Sequence, residues 1–238
     1  MLYLIGLGLD EKSLSENSKK ILKTCKKVYL ENYTVDFPYT LSVLEKELGV
    51  EIIIAERQFV EEEKIVDEAK NKDIAMLIYG NPLTATTHIS LIQHCKKEDI
   101  DCEVIYNASI FDAIAETGLQ IYKFGKVTSI PKWTDSYKPT SFLEIVKQNS
   151  SIQAHSLILI DIGLELKDVI NELKQACIDH ELKLGKIVIC SNLGTKKKKI
   201  FYGEIEKISS LKIEKPYCII IPSELHFLEK EVLEDFEI

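Results

Sequence analysis

The sequence predicts an α/β protein of two domains, the first with a mostly parallel sheet and the second with a mixed sheet. Short apolar runs alternate with amphipathic segments as far as Tyr106, the order expected of βαβ units. Beyond Thr117 the strand-like runs crowd closer together, which favours hairpins and mixed pairing. At 238 residues, with 45% hydrophobic and 29% charged content, the chain has enough apolar surface for substantial cores. No apolar run approaches the ~20 residues that span a bilayer, so no membrane partner is expected.

The first strand lies in residues 1–8, ending at Gly6-Leu7-Gly8-Leu9; it lacks the basic region and cleavage site of a signal peptide. Ser13-Leu14-Ser15-Glu16 has capping-box spacing and opens a helix predicted to reach about Cys25. Lys27–Glu31 is the second strand, followed by the polar Asn32-Tyr33-Thr34. Thr40–Leu48 is helical in pattern with Gly49 as its stop, Val50–Ala55 is a third strand, and Ile65–Lys72 a helix. Asp73–Tyr79 has the length and composition of a buried parallel strand. The stretch Gly80–His88 follows it. Gly80 frees the backbone to turn, Pro82 bars continuation in the sheet, and the threonines offer capping hydroxyls to a helix over Thr86–Lys97. A polar loop at the C-terminal end of a parallel strand is where open α/β sheets bind ligands, although a plain strand-to-helix connection has the same features. Cys102–Tyr106 is the fifth strand, ending at Asn107-Ala108-Ser109-Ile110. A boundary at Asn107–Phe111 gives domains 1–109 and 110–238. In the second domain we predict a helix near Phe111–Thr117, strands at Val127–Ile130, His155–Asp161, Ile187–Cys190, Ile200–Ile205 and Tyr217–Ile221, and a loop over Pro131–Pro139. Helices are predicted from the capping-box spacing Ser141–Glu144 to about Gln148, over Leu166–His180, and over Glu224–Asp235.

The net charge of −8 argues against direct binding of nucleic acid and leaves small cations or basic proteins as partners. Arg57 is the only arginine, so clamping of phosphates by guanidinium groups has little to work with. The six cysteines (25, 95, 102, 177, 190 and 218) contain no CxxC and sit mostly in apolar segments, which reads as reduced core thiols in a cytoplasmic protein. The five histidines lack metal-ligand spacing, and no metal is expected; His155 at a strand start and His226 in an amphipathic helix read as structural. In Gly6-Leu7-Gly8-Leu9-Asp10-Glu11 the third glycine of a dinucleotide fingerprint is replaced by Glu11, whose charge would repel a pyrophosphate. There is no P-loop and no nucleophile elbow, and Lys196–Lys199 reads as a solvated hairpin turn.

Together these loops resemble those of the diphthine synthase family, in the tetrapyrrole-methylase-like class of S-adenosylmethionine-dependent methyltransferases. The resemblance rests on residues 1–9, Leu30-Glu31-Asn32-Tyr33-Thr34, Gly80–His88, Asn107-Ala108-Ser109-Ile110 and Thr117–Lys126. It extends through Pro139-Thr140-Ser141-Phe142 and Leu159-Ile160-Asp161-Ile162 to Ile220–His226, essentially the whole chain. It implies the tetrapyrrole methylase fold, with S-adenosyl-L-methionine bound in a cleft between the domains and released as S-adenosyl-L-homocysteine. It further implies a homodimer that trimethylates the amino group of the 3-amino-3-carboxypropyl-histidine on translation elongation factor 2, giving diphthine in diphthamide biosynthesis. Eukaryotic members add a fourth methyl as an ester. The cofactor positions carried over are Leu9, Asn81, Thr84, Ser109, Ile110, Ile160, Leu193 and Tyr217. Leucine and isoleucine suit the adenine and thioether, and the hydroxyls suit the polar ends. No general base is assigned.

Two departures stand out. Asn81 replaces the usual aspartate of Gly-Asp-Pro, removing a charge beside a cationic cofactor, so Asn81→Asp is expected to strengthen cofactor binding. Ser191-Asn192-Leu193-Gly194 replaces Ala-Arg-x-Gly, removing a guanidinium that the lysine run could replace. They motivate one alternative, a catalytically weak cofactor-binding protein; the other is a tetrapyrrole methyltransferase.

Overall fold

In the computed structural model, which describes residues 1–238, five apolar runs form one sheet: Leu2–Gly6 (β1), Lys27–Glu31 (β2), Ile53–Ala55 (β3), Ile74–Ile78 (β4) and Cys102–Ile105 (β5). Their order is β3-β2-β4-β1-β5, and every pairing is parallel, as predicted for the first half. Alternation along the strands explains how both faces are covered. Ile5, Leu7, Val28, Leu30, Ala75 and Leu77 pack with the apolar stripes of helices Glu16–Thr24 (α1) and Leu41–Leu48 (α2). Leu2, Leu4, Tyr29, Ile74, Met76 and Ile78 pack on the other face. Their partners are Lys64–Ala69 (α4), which follows the short helix Arg57–Glu61 (α3), and Ile89–Lys97 (α5).

The chain divides into two compact units, Met1–Ile110 and Phe111–Ile238. The second contains a mixed sheet in the order β6-β7-β10-β8-β9, built from Thr128–Ile130, Ser156–Ile160, Tyr217–Ile221, Ile187–Ser191 and Lys199–Gly203, respectively. Only β6 and β7 are parallel; β10 runs antiparallel to both β7 and β8, and β8–β9 is the predicted hairpin carrying the lysines. After the short helix Ile110–Ala113 (α6), helices Phe142–Ser151 (α7), Leu166–Asp179 (α8) and Ile205–Ile208 (α9) join the core on one face of this sheet. Phe227–Glu234 (α10) ends the chain's regular structure. No helix is long and apolar enough to cross a membrane.

Several predicted boundaries shift for identifiable reasons. Helix α1 is capped by Ser15, whose hydroxyl accepts from the Ser18 amide at 3.1 Å, because Ser13 is already engaged with Asp10 at 2.8 Å. Ser141 makes no side-chain cap for α7, since Glu144 turns instead to His180, 3.0 Å away. The threonines after Pro82 do not cap α5. Thr86 donates its hydroxyl to the Pro82 carbonyl at 2.9 Å, a turn that delays the helix to Ile89. His226 lies at the N-cap of α10 rather than within it: its side chain accepts from Leu228, while Glu229 accepts from the His226 amide.

Candidate functional site

Strands β1 and β4 are neighbours, yet the chain leaves them towards opposite faces, through α1 and α5. That is a topological switch point, where open parallel sheets leave a crevice beyond their carboxyl ends. Three loops meet there. Gly8 and Gly80 exchange backbone hydrogen bonds, with Gly8 N–H donating to Gly80 at 3.1 Å and Gly80 N–H donating to Gly8 at 2.9 Å. Asn107, just past β5, donates its amide nitrogen to the carbonyls of Gly6 and Ser13, each at 3.0 Å. Tyr79 donates its hydroxyl to the Leu9 carbonyl at 3.0 Å. Neighbouring strands thus bring Leu9, Asn81, Thr84, Ser109 and Ile110 to one sheet edge.

The approach is too close for a side chain on β1's last residue. A Cβ on Gly6 would meet the Gly80 carbonyl oxygen at 2.6 Å. At Gly8, where φ is +73°, a Cβ would meet the Ser13 Cβ at 2.5 Å and the Asn107 carboxamide oxygen at 3.0 Å. Gly8→Ala is therefore expected to cost about 2–4 kcal/mol, from left-handed strain plus overpacking, visible as a lower urea midpoint. A change within ~0.5 kcal/mol would show that the junction yields.

Asn81 has a structural duty that its sequence position did not reveal. Its side-chain oxygen accepts from the Leu83 amide at 3.1 Å, and its nitrogen donates to the Asn107 carbonyl at 3.2 Å. An aspartate could keep the first bond but would set a carboxylate oxygen against a carbonyl oxygen in the second. Asn81→Asp is accordingly expected to loosen the β4–β5 loop contact at a cost of about 1–3 kcal/mol. Thermal unfolding with and without S-adenosylhomocysteine checks this; a stabilised variant with tighter ligand binding would favour the charge argument from sequence. Thr84 donates its amide to the Asn81 carbonyl at 3.2 Å, and its hydroxyl makes no hydrogen bond within the protein. Ser109 is buried.

Beside this junction lies a pair that sequence reading missed. Glu31, the last residue of β2, is buried, and neither of its carboxyl oxygens has a hydrogen-bond partner. Its neighbour is His88, also buried, with Nε2 3.9 Å from Glu31 Oε1 and Nδ1 3.0 Å from the Pro82 carbonyl. Burial pushes the Glu31 carboxyl up to about 7, against opposing effects of Thr34 and Arg57. Burial likewise lowers His88, opposed by its bond to Pro82.

In the second unit, Ile160 closes β7, Leu193 follows β8 and Tyr217 opens β10, so the strand directions bring all three to one edge of that sheet. Tyr217 belongs to the core, with its hydroxyl donated to the Leu164 carbonyl at 3.2 Å. Asn192 is buried at φ +51°, a left-handed turn that asparagine tolerates, and its amide donates to the Pro216 carbonyl at 2.9 Å. Among the lysines, Lys198 pairs with Glu116. The motif blocks Thr117–Lys126 and Ile220–His226 converge on a single carboxylate. Glu229 accepts from Lys123 Nζ at 2.5 Å, the Gln120 amide at 2.9 Å, the His226 amide at 2.8 Å and His155 Nε2 at 3.1 Å. The Ser223 amide donates to His155 Nδ1 at 3.0 Å, which leaves the ring proton on Nε2, so His155 is structural as predicted. Above this network is a cavity of about 710 Å³ lined in part by Gln120, Phe124, Glu224 and His226. Tyr122 and Phe227 stand exposed at its rim, at 83% and 73%.

Two α/β units, one parallel and one mixed, with a glycine-closed loop junction at the switch point, are the architecture of a tetrapyrrole-type methylase. Residues 1–209 match the family described as Tetrapyrrole (Corrin/Porphyrin) Methylases. A diphthine synthase of Methanocaldococcus jannaschii is 36% identical over 253 residues, covering 98% of this chain and 97% of its own. A diphthine methyl ester synthase of Mus musculus is 33% identical over 272 residues, covering 100% and 97%. A crystal structure of diphthine synthase superposes with a TM-score of 0.90 at 26% identity, covering 100% of this chain and 96% of that one. The chain belongs to the tetrapyrrole methylase family and, within it, to the diphthine synthase branch of methyltransferases.

Proposed function

We propose that this chain uses S-adenosyl-L-methionine to trimethylate the amino group of the 3-amino-3-carboxypropyl-histidine on translation elongation factor 2, forming diphthine. The observation that carries the reading is the junction of the β1, β4 and β5 loops at the switch point, in a chain whose relatives are named diphthine synthase or diphthine methyl ester synthase. The residues there fit such a donor. Leu9 and Ile110 offer apolar walls, Thr84 an unengaged hydroxyl, and Ser109 a second polar group, while Asp10 follows Leu9 and no lysine or arginine stands among them to repel a sulfonium. Bound there, the cofactor would supply an electrophilic methyl group. The chain's own residues orient the two partners and exclude water, which is where most of the acceleration of a bimolecular displacement arises. The attacking amine must shed a proton before each transfer, and small hydroxylated walls such as Thr84 and Ser109 leave room for the growing head group. Ile160, Leu193 and Tyr217 remain further candidate contacts, and the protein acts as a cytoplasmic homodimer in this reading.

Incubation with S-adenosylmethionine and elongation factor 2 carrying the unmethylated side chain, followed by mass spectrometry, tests the proposal. Three base-stable methyl groups are expected on the modified histidine. A fourth, base-labile methyl would assign the methyl ester product instead, and no transfer would overturn the reading.

A further inference from the structure

Glu31 is the one buried carboxylate whose two oxygens both lack a hydrogen bond, and its side chain is 0% exposed. Its surroundings offer little compensation. Arg57 on α3 is the cation whose field reaches it, but that guanidinium stacks over Tyr33 at 5.2 Å and lies 3.8 Å from Glu61. Tyr33 stays a neutral phenol, held up at about 12 by burial, and Thr34 offers only its hydroxyl. The remaining titratable neighbour is His88.

The Pro82 carbonyl can only accept, so His88 carries a proton on Nδ1, and Nε2 faces Glu31. If Glu31 were ionised and His88 neutral, a buried carboxylate would face a lone pair with no donor between them, an arrangement that burial makes costly. The pair must hold at least one proton to lie as it does. Resting on the proposed donor site, we infer that Glu31 and His88 are positioning residues. They form a buried carboxyl–imidazole pair, 3.9 Å apart, in which a proton held on Glu31 spares the bare Nε2 a facing carboxylate, keeps His88 on the Pro82 carbonyl and so holds the Asn81–Thr84 loop in its ligand-binding form.

The consequence is directional. Burial raises Glu31 and lowers His88, so near neutrality the proton sits on Glu31 and is lost as the pH rises through about 7. The bare pair is relieved only when water enters or the imidazole swings away, and either event frees the Pro82 carbonyl and the Thr86 turn bonded to it. Glutamine at position 31 fills the same volume and can donate towards Nε2 without titrating.

Calorimetric titration of S-adenosylhomocysteine into the full chain from about pH 6 to about pH 8.5 tests this, with Glu31→Gln alongside. Wild-type affinity is expected to fall roughly thirtyfold with a midpoint near 7, because each pH unit above the midpoint removes about tenfold of the competent form. Glu31→Gln is expected to keep the low-pH affinity throughout; the ligand's own titration is common to both proteins. Identical pH profiles would overturn the inference and leave the donor site standing. If neither protein binds at any pH, the donor site itself fails, and nitrogen NMR of the His88 ring decides the inference separately. The Nδ1–H tautomer should persist in Glu31→Gln and disappear from the wild type above pH 8; an Nε2–H tautomer, or one indifferent to Glu31, would overturn it.

Discussion

Replacing Glu229 with alanine is expected to destabilise the second unit by about 3–5 kcal/mol, the cost of breaking a buried ion pair by removing one partner. The side chain is 0% exposed and both oxygens are doubly occupied, by Gln120 and His155 on one and by Lys123 and His226 on the other. Alanine would leave the Lys123 ammonium at 23% exposure without its counter-charge and orphan two backbone amides, His226 at the start of α10 and Gln120 within the 118–126 loop. Burial alone would raise this carboxyl, but Lys123, the two amides and His155 outweigh it and hold it at about 2, below the ordinary 4.5. A depressed carboxylate contributes stability that is present above pH 4.5 and is lost as the pH falls towards 2. That contribution is about 3 kcal/mol in the wild type. Urea unfolding as a function of pH should show this acid limb, and it should be missing from Glu229→Gln. A loss below about 1 kcal/mol in the alanine variant at pH 7 would mean that the four donors find water instead.

The second large effect has the opposite sign. Glu31→Gln is expected to stabilise the first unit by up to about 3 kcal/mol at pH 8 and to change little at pH 4. The folded carboxyl, raised to about 7, holds its proton through the range where the unfolded one, at 4.5, has lost it. Stability supplied by the protonated form is complete below pH 4.5 and disappears as the pH climbs through 7. The non-titrating amide escapes that loss. Thermal melts from pH 4 to pH 8 should therefore diverge progressively, with the variant higher. Parallel curves would show that Glu31 is hydrated in solution. Two glutamates, both buried, thus behave as opposites because one accepts four hydrogen bonds and the other has only the weak opposing effects of Thr34 and Arg57.

Much of this architecture was legible in the chain. Lys27–Glu31 and Tyr217–Ile221 were predicted to the residue because an apolar run bounded by polar residues has few alternatives, and Gly49, at φ +66°, stops α2 as expected. Helix α3 was not legible, since Arg57–Glu61 is too short to show periodicity. The displaced caps share one cause, a competing partner: Asp10 three residues back for Ser13, Pro82 four residues back for Thr86, and the distant His180 for Glu144. The eight candidate cofactor positions rest on resemblance, and folding gathers them at one edge of each sheet. What sequence could not show is how those edges are held. Asn107 reads as the polar end of a strand, yet it ties the loops of β1 and β5, and Asn81 ties the loops of β4 and β5. Glu31 reads as a polar strand end too; only the parallel register of β2 and β4, with Leu30 opposite Leu77, sets it beside His88. The Glu229 partners are as much as 109 residues away in sequence, beyond any local pattern.

The claim on which the function turns is that the carboxyl edge of the first sheet binds the methyl donor. A crystal structure with S-adenosylhomocysteine at saturating concentration tests it most directly. The account predicts ligand density against Leu9, the Asn81–Thr84 loop and Ser109–Ile110. Density elsewhere on the molecule, with that edge left empty, would contradict it.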